Sequence, residues 1–287
     1  MVVSNNSSNF TTNNNAYVAF YSKVFIGVTG FILNMSVGLI ICTHSALRQP
    51  FTYLILNLSI SDLLVSLTLL VNGILDYYTI ASFTTYQNAY ILCTVNVAIV
   101  LTSMPGACLT LLVMSFERYQ AVAAVRLRNI KFTTVLKIIL ITWLAAISSA
   151  IIPTYYATFY NHYPSACTIG RIDNYTLLVI SIILFSTTCI LPIIVMLIMY
   201  GLIIYKLIYE KSAVEIGLSF ITNNRGKNIR STILPVLLTS IFTTAPSIPY
   251  ILLSYYTLIK EYYNPYFREP FMKKIMVFGL LPLYCMC

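Results

Sequence analysis

The sequence predicts an all-α membrane protein: a bundle of seven transmembrane helices with its N-terminus outside and a truncated seventh helix. Two observations carry that class. Of the 287 residues, 59% are hydrophobic and 9% are charged, and the mean hydropathy is +0.83. A soluble domain usually carries about 25% charged residues, so the apolar side chains must face lipid rather than water. The apolar residues also fall in long unbroken runs rich in Leu and Ile, without the alternation of barrel strands. Helices are then the way to satisfy the backbone in lipid.

The runs come in order at 17–42, 51–75, 89–116, 133–153, 175–205 and 229–258, and a seventh covers 270–287. Each of the first six has about 20 or more residues, enough to cross a hydrocarbon core of ~30 Å at ~1.5 Å per residue. Ahead of them, residues 1–16 (MVVSNNSSNFTTNNNA) form a polar, uncharged tail. It lacks the basic start and apolar core of a signal peptide, so the first helix is expected to direct its own insertion. The chain divides into an extracellular, glycosylated tail over 1–16 and a seven-helix domain over 17–287, with no internal repeat and no soluble domain.

Basic residues set the orientation. With the N-terminus outside, eleven of the seventeen Lys and Arg lie on the inner side: Arg48, Arg118, Arg126, Arg128, Lys131, Lys137, Lys206, Lys211, Arg225, Lys227 and Arg230. Lys23, Arg171, Lys260, Arg268, Lys273 and Lys274 stay outside. The net charge of +9 is therefore mostly a topology signal, and it implies the bilayer as partner rather than nucleic acid. Glycosylation sequons at Asn5, Asn6, Asn9 and Asn174 all fall on the outer side. Asn34-Met35-Ser36 and Asn57-Leu58-Ser59 match the same pattern inside helices, where they cannot be modified.

Within the membrane, Asp62 in LNLSISDLLVSL is flanked by apolar residues on both sides. An ionisable group there is costly and points to function. It reads either as a protonated acid hydrogen-bonded inside the bundle or as the hub of a polar network or cation site. Asn34, 28 residues earlier at similar depth in the first helix, could reach it across the interface. The third run ends in Glu117-Arg118-Tyr119. Alone, such a pair is an arginine snorkelling to the interface. Cys93 opens the same helix 25 residues before Arg118, ~37 Å away at the opposite surface. Cys167 lies in the second outer loop, in the same oxidising compartment. A bridge between them would tie that loop to the third helix.

This ordered constellation resembles the rhodopsin-like (class A) G-protein-coupled receptors over nearly the whole chain, as a divergent, orphan-like member. Asn34 matches the family's first-helix Asn, Asp62 its second-helix Asp, and Cys93 and Cys167 its outer disulfide. Glu117-Arg118-Tyr119 is similar to the Asp/Glu-Arg-Tyr switch, Trp143 to the fourth-helix Trp, Pro192 and Tyr200 to the fifth-helix pair, and Pro246 to the sixth-helix kink. The resemblance implies a multi-pass plasma-membrane receptor that passes an extracellular ligand signal to heterotrimeric G proteins. Arg118, restrained by Glu117 at rest, would meet the G protein, with Tyr200 in support. No enzymatic activity and no cofactor are implied.

Several positions depart from the family. Thr244 stands where the sixth-helix Trp switch belongs, and Trp143 is the chain's single tryptophan. Pro235 and Pro249 add further breaks to that helix. The stretch NNRGKNIR near its inner end carries no acid to restrain Arg118 from that side. Ala107 replaces a sodium-binding Ser, which weighs against sodium at Asp62. Asn-Pro-x-x-Tyr is missing from the seventh helix. Aligning that motif on Pro282 would draw Lys273 and Lys274 deep into the membrane. Placing LYCMC just before it leaves both lysines at the outer edge, the cheaper arrangement. Phe271 to Cys287 then span ~25 Å, short of a full crossing.

On the ligand side, Val100 occupies the position where aminergic members carry an Asp, so the expected ligand is a peptide or a small non-amine molecule. Val100, Met104 and Tyr250 are candidate contacts by position. The outer half is rich in Tyr (Tyr77, Tyr78, Tyr155, Tyr156, Tyr250, Tyr255 and Tyr256), which serves either as an interfacial belt or as a pocket lining. A degenerate, non-signalling receptor is the alternative function. A small-molecule transporter is disfavoured, since repeats and paired membrane charges are missing. His44 and His162 fall on opposite sides and form no enzymatic cluster.

Overall fold

The computed structural model describes residues 6–45, 49–81, 86–123, 131–159 and 167–215, together with Leu252, Tyr255, Tyr256 and Ile259. Four long helices come first: α1 (Asn6–Thr43), α2 (Pro50–Ala81), α3 (Tyr86–Ala123) and α4 (Phe132–Tyr155). A hairpin of β1 (Ala157–Phe159) and β2 (Cys167–Ile169) follows. The fifth span is composite, with α5 (Tyr175–Phe185), a π-helical turn at Ser186–Ile190 and α6 (Leu191–Glu215). Among the described residues, five stretches are long and apolar enough to cross a membrane: Phe20–Thr43, Pro50–Leu75, Gln87–Gln120, Phe132–Tyr155 and Tyr175–Lys206. They match the first five expected runs. The sixth and seventh runs, with Pro246, Tyr250, Lys273 and Lys274, lie outside the described residues, apart from the four single positions named above.

Three features depart from the expected outline. The tail over 1–16 is helical from Asn6 onward. Its Asn, Ser and Thr are weak helix formers, but α1 is already nucleated in the membrane, and extending a helix costs far less than starting one. The second outer loop contains an antiparallel hairpin, paired Ala157↔Ile169, Thr158↔Thr168 and Phe159↔Cys167. Strands of three residues are too short to leave a period in the sequence. Gly170 closes the hairpin by donating its N–H to the Tyr156 carbonyl at 2.7 Å, and a Cβ there would lie 2.8 Å from Thr158 Cγ2. Finally, the fifth span is broken by the π turn just ahead of Pro192. A proline ring clashes with the carbonyl four residues earlier, here that of Thr188, and widening the turn accommodates it.

Lipid-facing and interior positions separate as a membrane bundle requires. Leu33, Leu140, Ile141, Leu144 and Ile151 are exposed on the helix exteriors, whereas Ser61, Ser66, Ser103 and Ala146 are buried. Small residues let helices approach closely. At Gly27 of α1, an added Cβ would sit 2.9 Å from the Leu70 side chain of α2. Several buried hydroxyls turn back on their own helices, as in Ser66 Oγ to the Asp62 carbonyl at 2.8 Å and Thr110 Oγ1 to the Gly106 carbonyl at 2.7 Å. That satisfies them where no water is at hand. Lys23, near the start of the first membrane-spanning stretch, is buried on α1, with its Cβ turned toward Gly73 of α2.

Candidate functional site

Helix α3 runs from the outer to the inner surface and carries candidate residues at both ends. At the outer end Cys93 is fully buried and bonded to Cys167 of β2, with Cα atoms 5.4 Å apart. The bridge spans 74 residues and fastens the hairpin onto α3. Cys42, Cys108 and Cys189 remain reduced thiols.

In the middle of the bundle the polar contacts differ from those the sequence suggested. Asp62 is buried on α2. Asn34 does not reach across to it: Nδ2 donates to the Gly30 carbonyl of its own helix at 3.0 Å. A short amide reaches the carbonyl one turn back more readily than a neighbouring helix. Asn57 makes the inter-helix link instead. Trp143 Nε1 of α4 donates to Asn57 Oδ1 at 2.9 Å, and Asn57 Nδ2 donates to Thr110 Oγ1 of α3 at 2.8 Å. Sequence reasoning singled out Trp143 but saw Asn57 only as a false sequon. The missed signal was an amide deep in a membrane helix, which needs a partner almost as strongly as an acid does.

At the inner end, Glu117, Arg118 and Tyr119 occupy the last turns of α3. The Arg118 guanidinium carbon lies 3.9 Å from the centre of the Phe51 ring. Phe51 follows Pro50, whose fixed φ and missing N–H suit the first position of α2. Its ring is packed against a buried cluster of Leu54, Met114 and Val135, and Tyr53 meets Phe132 of α4 edge-on at 4.8 Å nearby. Glu117 Oε2 and Arg118 Nε are both buried with no hydrogen-bond partner among the described residues. The expected clasp between the two side chains is therefore not made through these atoms, as befits neighbours that diverge by about 100° on a helix. Tyr119 packs on a different cluster, formed by Leu58, Ala107, Leu111, Met196, Tyr200 and Ile203. Tyr200 and Tyr119 thus share one cluster, while Arg118 turns to α2.

On the outer side, Leu101, Pro153, Ile169, Ser181, Ile182, Phe185 and Tyr255 line a crevice of about 30 Å³. The Tyr255 hydroxyl is 2.7 Å from Ser186 Oγ in the π turn, and its ring meets Phe185 edge-on at 5.7 Å. Among the described residues this space has room for a water or two. Of the positional guesses, Val100 is half-buried and Met104 is packed among Leu101, Cys108 and Phe185; neither lines the crevice. Among the described residues no group of three or more His, Cys, Asp and Glu side chains gathers as metal ligands.

Comparison with known proteins agrees with this geometry. A stretch of 99 residues is 32% identical to the 5-hydroxytryptamine receptor 1E of Cavia porcellus, covering 34% of this chain and 26% of that receptor. The chain thus matches about a quarter of that relative's length. The sequence profile described as 7 transmembrane receptor (rhodopsin family) matches residues 33–287, the greater part of the chain. With the disulfide at the outer end of α3 and Glu117-Arg118-Tyr119 at its inner end, the match identifies this seven-helix membrane protein as a member of the rhodopsin family of transmembrane receptors.

Proposed function

We propose that this receptor works in the plasma membrane and passes an extracellular signal to heterotrimeric G proteins, with Arg118 as the group that meets the G protein. One observation carries the reading: a single helix links a disulfide-anchored outer loop to Arg118 at the inner surface. A ligand that displaces the outer end biases the inner end through one rigid element. The ligand is a peptide or a small non-amine molecule. The relative's name refers to an amine, but Val100 offers no charge to pair with one. Asn174 and the tail sequons carry glycans on the outer face.

The test is nucleotide exchange on a panel of purified G proteins, driven by the receptor in lipid nanodiscs. Arg118→Ala abolishes exchange while surface expression stays near the parent level. A second reading, a receptor that binds but does not signal, is favoured by Thr244 in place of the sixth-helix Trp. That reading takes over if the parent and Arg118→Ala are indistinguishable across the panel.

A further inference from the structure

Resting on the coupling role of Arg118 proposed above, we infer that Phe51 is a positioning residue for that arginine. Its ring, rather than a hydrogen-bonded carboxylate, seats the guanidinium at the inner end of the bundle. The Arg118 carbon at 3.9 Å from the ring centre is well inside the ~6 Å reach of a cation–π contact. A flat guanidinium stacks on an aromatic face as an ammonium cannot, and the low polarity at the membrane edge strengthens the attraction.

The seat is held from several sides. Pro50 fixes the start of α2, and Leu54 on α2, Met114 on α3 and Val135 on α4 form the cluster beneath the ring. The Glu117 carboxylate attracts the arginine through space. Its buried Oε2 and Arg118 Nε nevertheless make no hydrogen bond among the described residues, and the inner approach to the sixth helix, NNRGKNIR, offers no acid. Phe51 is the group found against the arginine, and releasing Arg118 means unstacking it.

The experiment measures ligand-free nucleotide exchange on the full chain in nanodiscs. Phe51→Leu keeps an apolar side chain but removes the π face, and it raises the basal rate about 3- to 10-fold, the range a cation–π contact supports. Phe51→Trp, with the stronger face, lowers it. Because Phe51→Leu also alters packing, a second series replaces Phe51 with 4-fluoro-, 3,5-difluoro- and 3,4,5-trifluorophenylalanine. These drain the ring face at almost constant shape. The rate is expected to climb stepwise with fluorine number at an unchanged thermal midpoint, and a flat series overturns the proposal. A readout without G protein separates this from the coupling reading: the ¹⁹F resonance of 4-fluorophenylalanine at position 51, with and without Arg118→Gln. A resonance indifferent to Arg118→Gln overturns the proposal whatever the exchange assay gives. If it moves but no variant drives any G protein, the coupling reading falls and the Phe51–Arg118 seat stands.

Discussion

Asn57 uses both ends of its amide, accepting from Trp143 on α4 and donating to Thr110 on α3. Asn57→Ala leaves the Trp143 N–H without an acceptor in a region where water cannot substitute. Inter-helix hydrogen bonds in membranes are worth about 0.6 kcal/mol on average and up to ~1.7, because the unfolded chain in lipid also finds partners. Losing two should cost about 1–3 kcal/mol, seen as a lower thermal midpoint in detergent. In a double-mutant cycle with Trp143→Phe the two changes should fall short of additivity by about 0.5 kcal/mol or more; additivity within ~0.3 would mean the bond carries no energy. Glu117 gives a contrasting case. Its Oε2 has no hydrogen-bond partner among the described residues, so Glu117→Gln should raise basal exchange less than Phe51→Leu does. The reverse order would return the restraint on Arg118 to the carboxylate. Asp62, Arg118 and Trp143 stood out in the sequence because each is charged or unique. Asn57 and Phe51 did not, because what defines them is a partner on another helix, 86 residues distant between Asn57 and Trp143.

Helix existence was legible and helix detail was not. The first five apolar runs became membrane-spanning segments because length and polarity alone decide what can cross a bilayer. The π turn at Ser186–Ile190 left no such trace, since it depends on how Pro192 is accommodated against neighbouring helices. The β1–β2 hairpin was likewise hidden, but the cysteine that fastens it was not. This yields a prediction for the element. Removing the bridge frees the hairpin from α3 and enlarges the unfolded ensemble, an effect of about 2–4 kcal/mol. Cys93→Ser and Cys167→Ser should lower the thermal midpoint, and the double variant should lie no lower than the more affected single one. Limited proteolysis should then cut between Ala157 and Ile169. If the double variant keeps the parent midpoint and resists cleavage, the hairpin is held by its own packing and the bridge is incidental.

At the scale of the whole molecule, orientation in the membrane is what turns these contacts into a receptor. The same bundle inserted upside down would present Arg118 to the outside and the hairpin to the cytoplasm. Charge asymmetry argues for the N-terminus outside, and the Cys93–Cys167 bridge agrees, because disulfides persist on the oxidising side. Asn174 supplies the decisive handle. It is exposed, and it caps α5 by accepting the Thr176 N–H on Oδ1 at 2.9 Å. Asn174→Gln would therefore remove any glycan and the cap together, at about 1 kcal/mol for the cap. Thr176→Ala destroys the sequon while leaving the backbone N–H that the cap uses. The parent should shift on a gel after glycosidase treatment by more than Thr176→Ala does, with equal thermal midpoints. In the same cells a cysteine at Ser219, four residues past the end of α6 in the sequence, should react with an impermeant thiol reagent only after the membrane is opened. Labelling of Ser219→Cys from outside in intact cells, with no glycan at Asn174, would reverse the orientation and put Arg118 where no G protein can reach it.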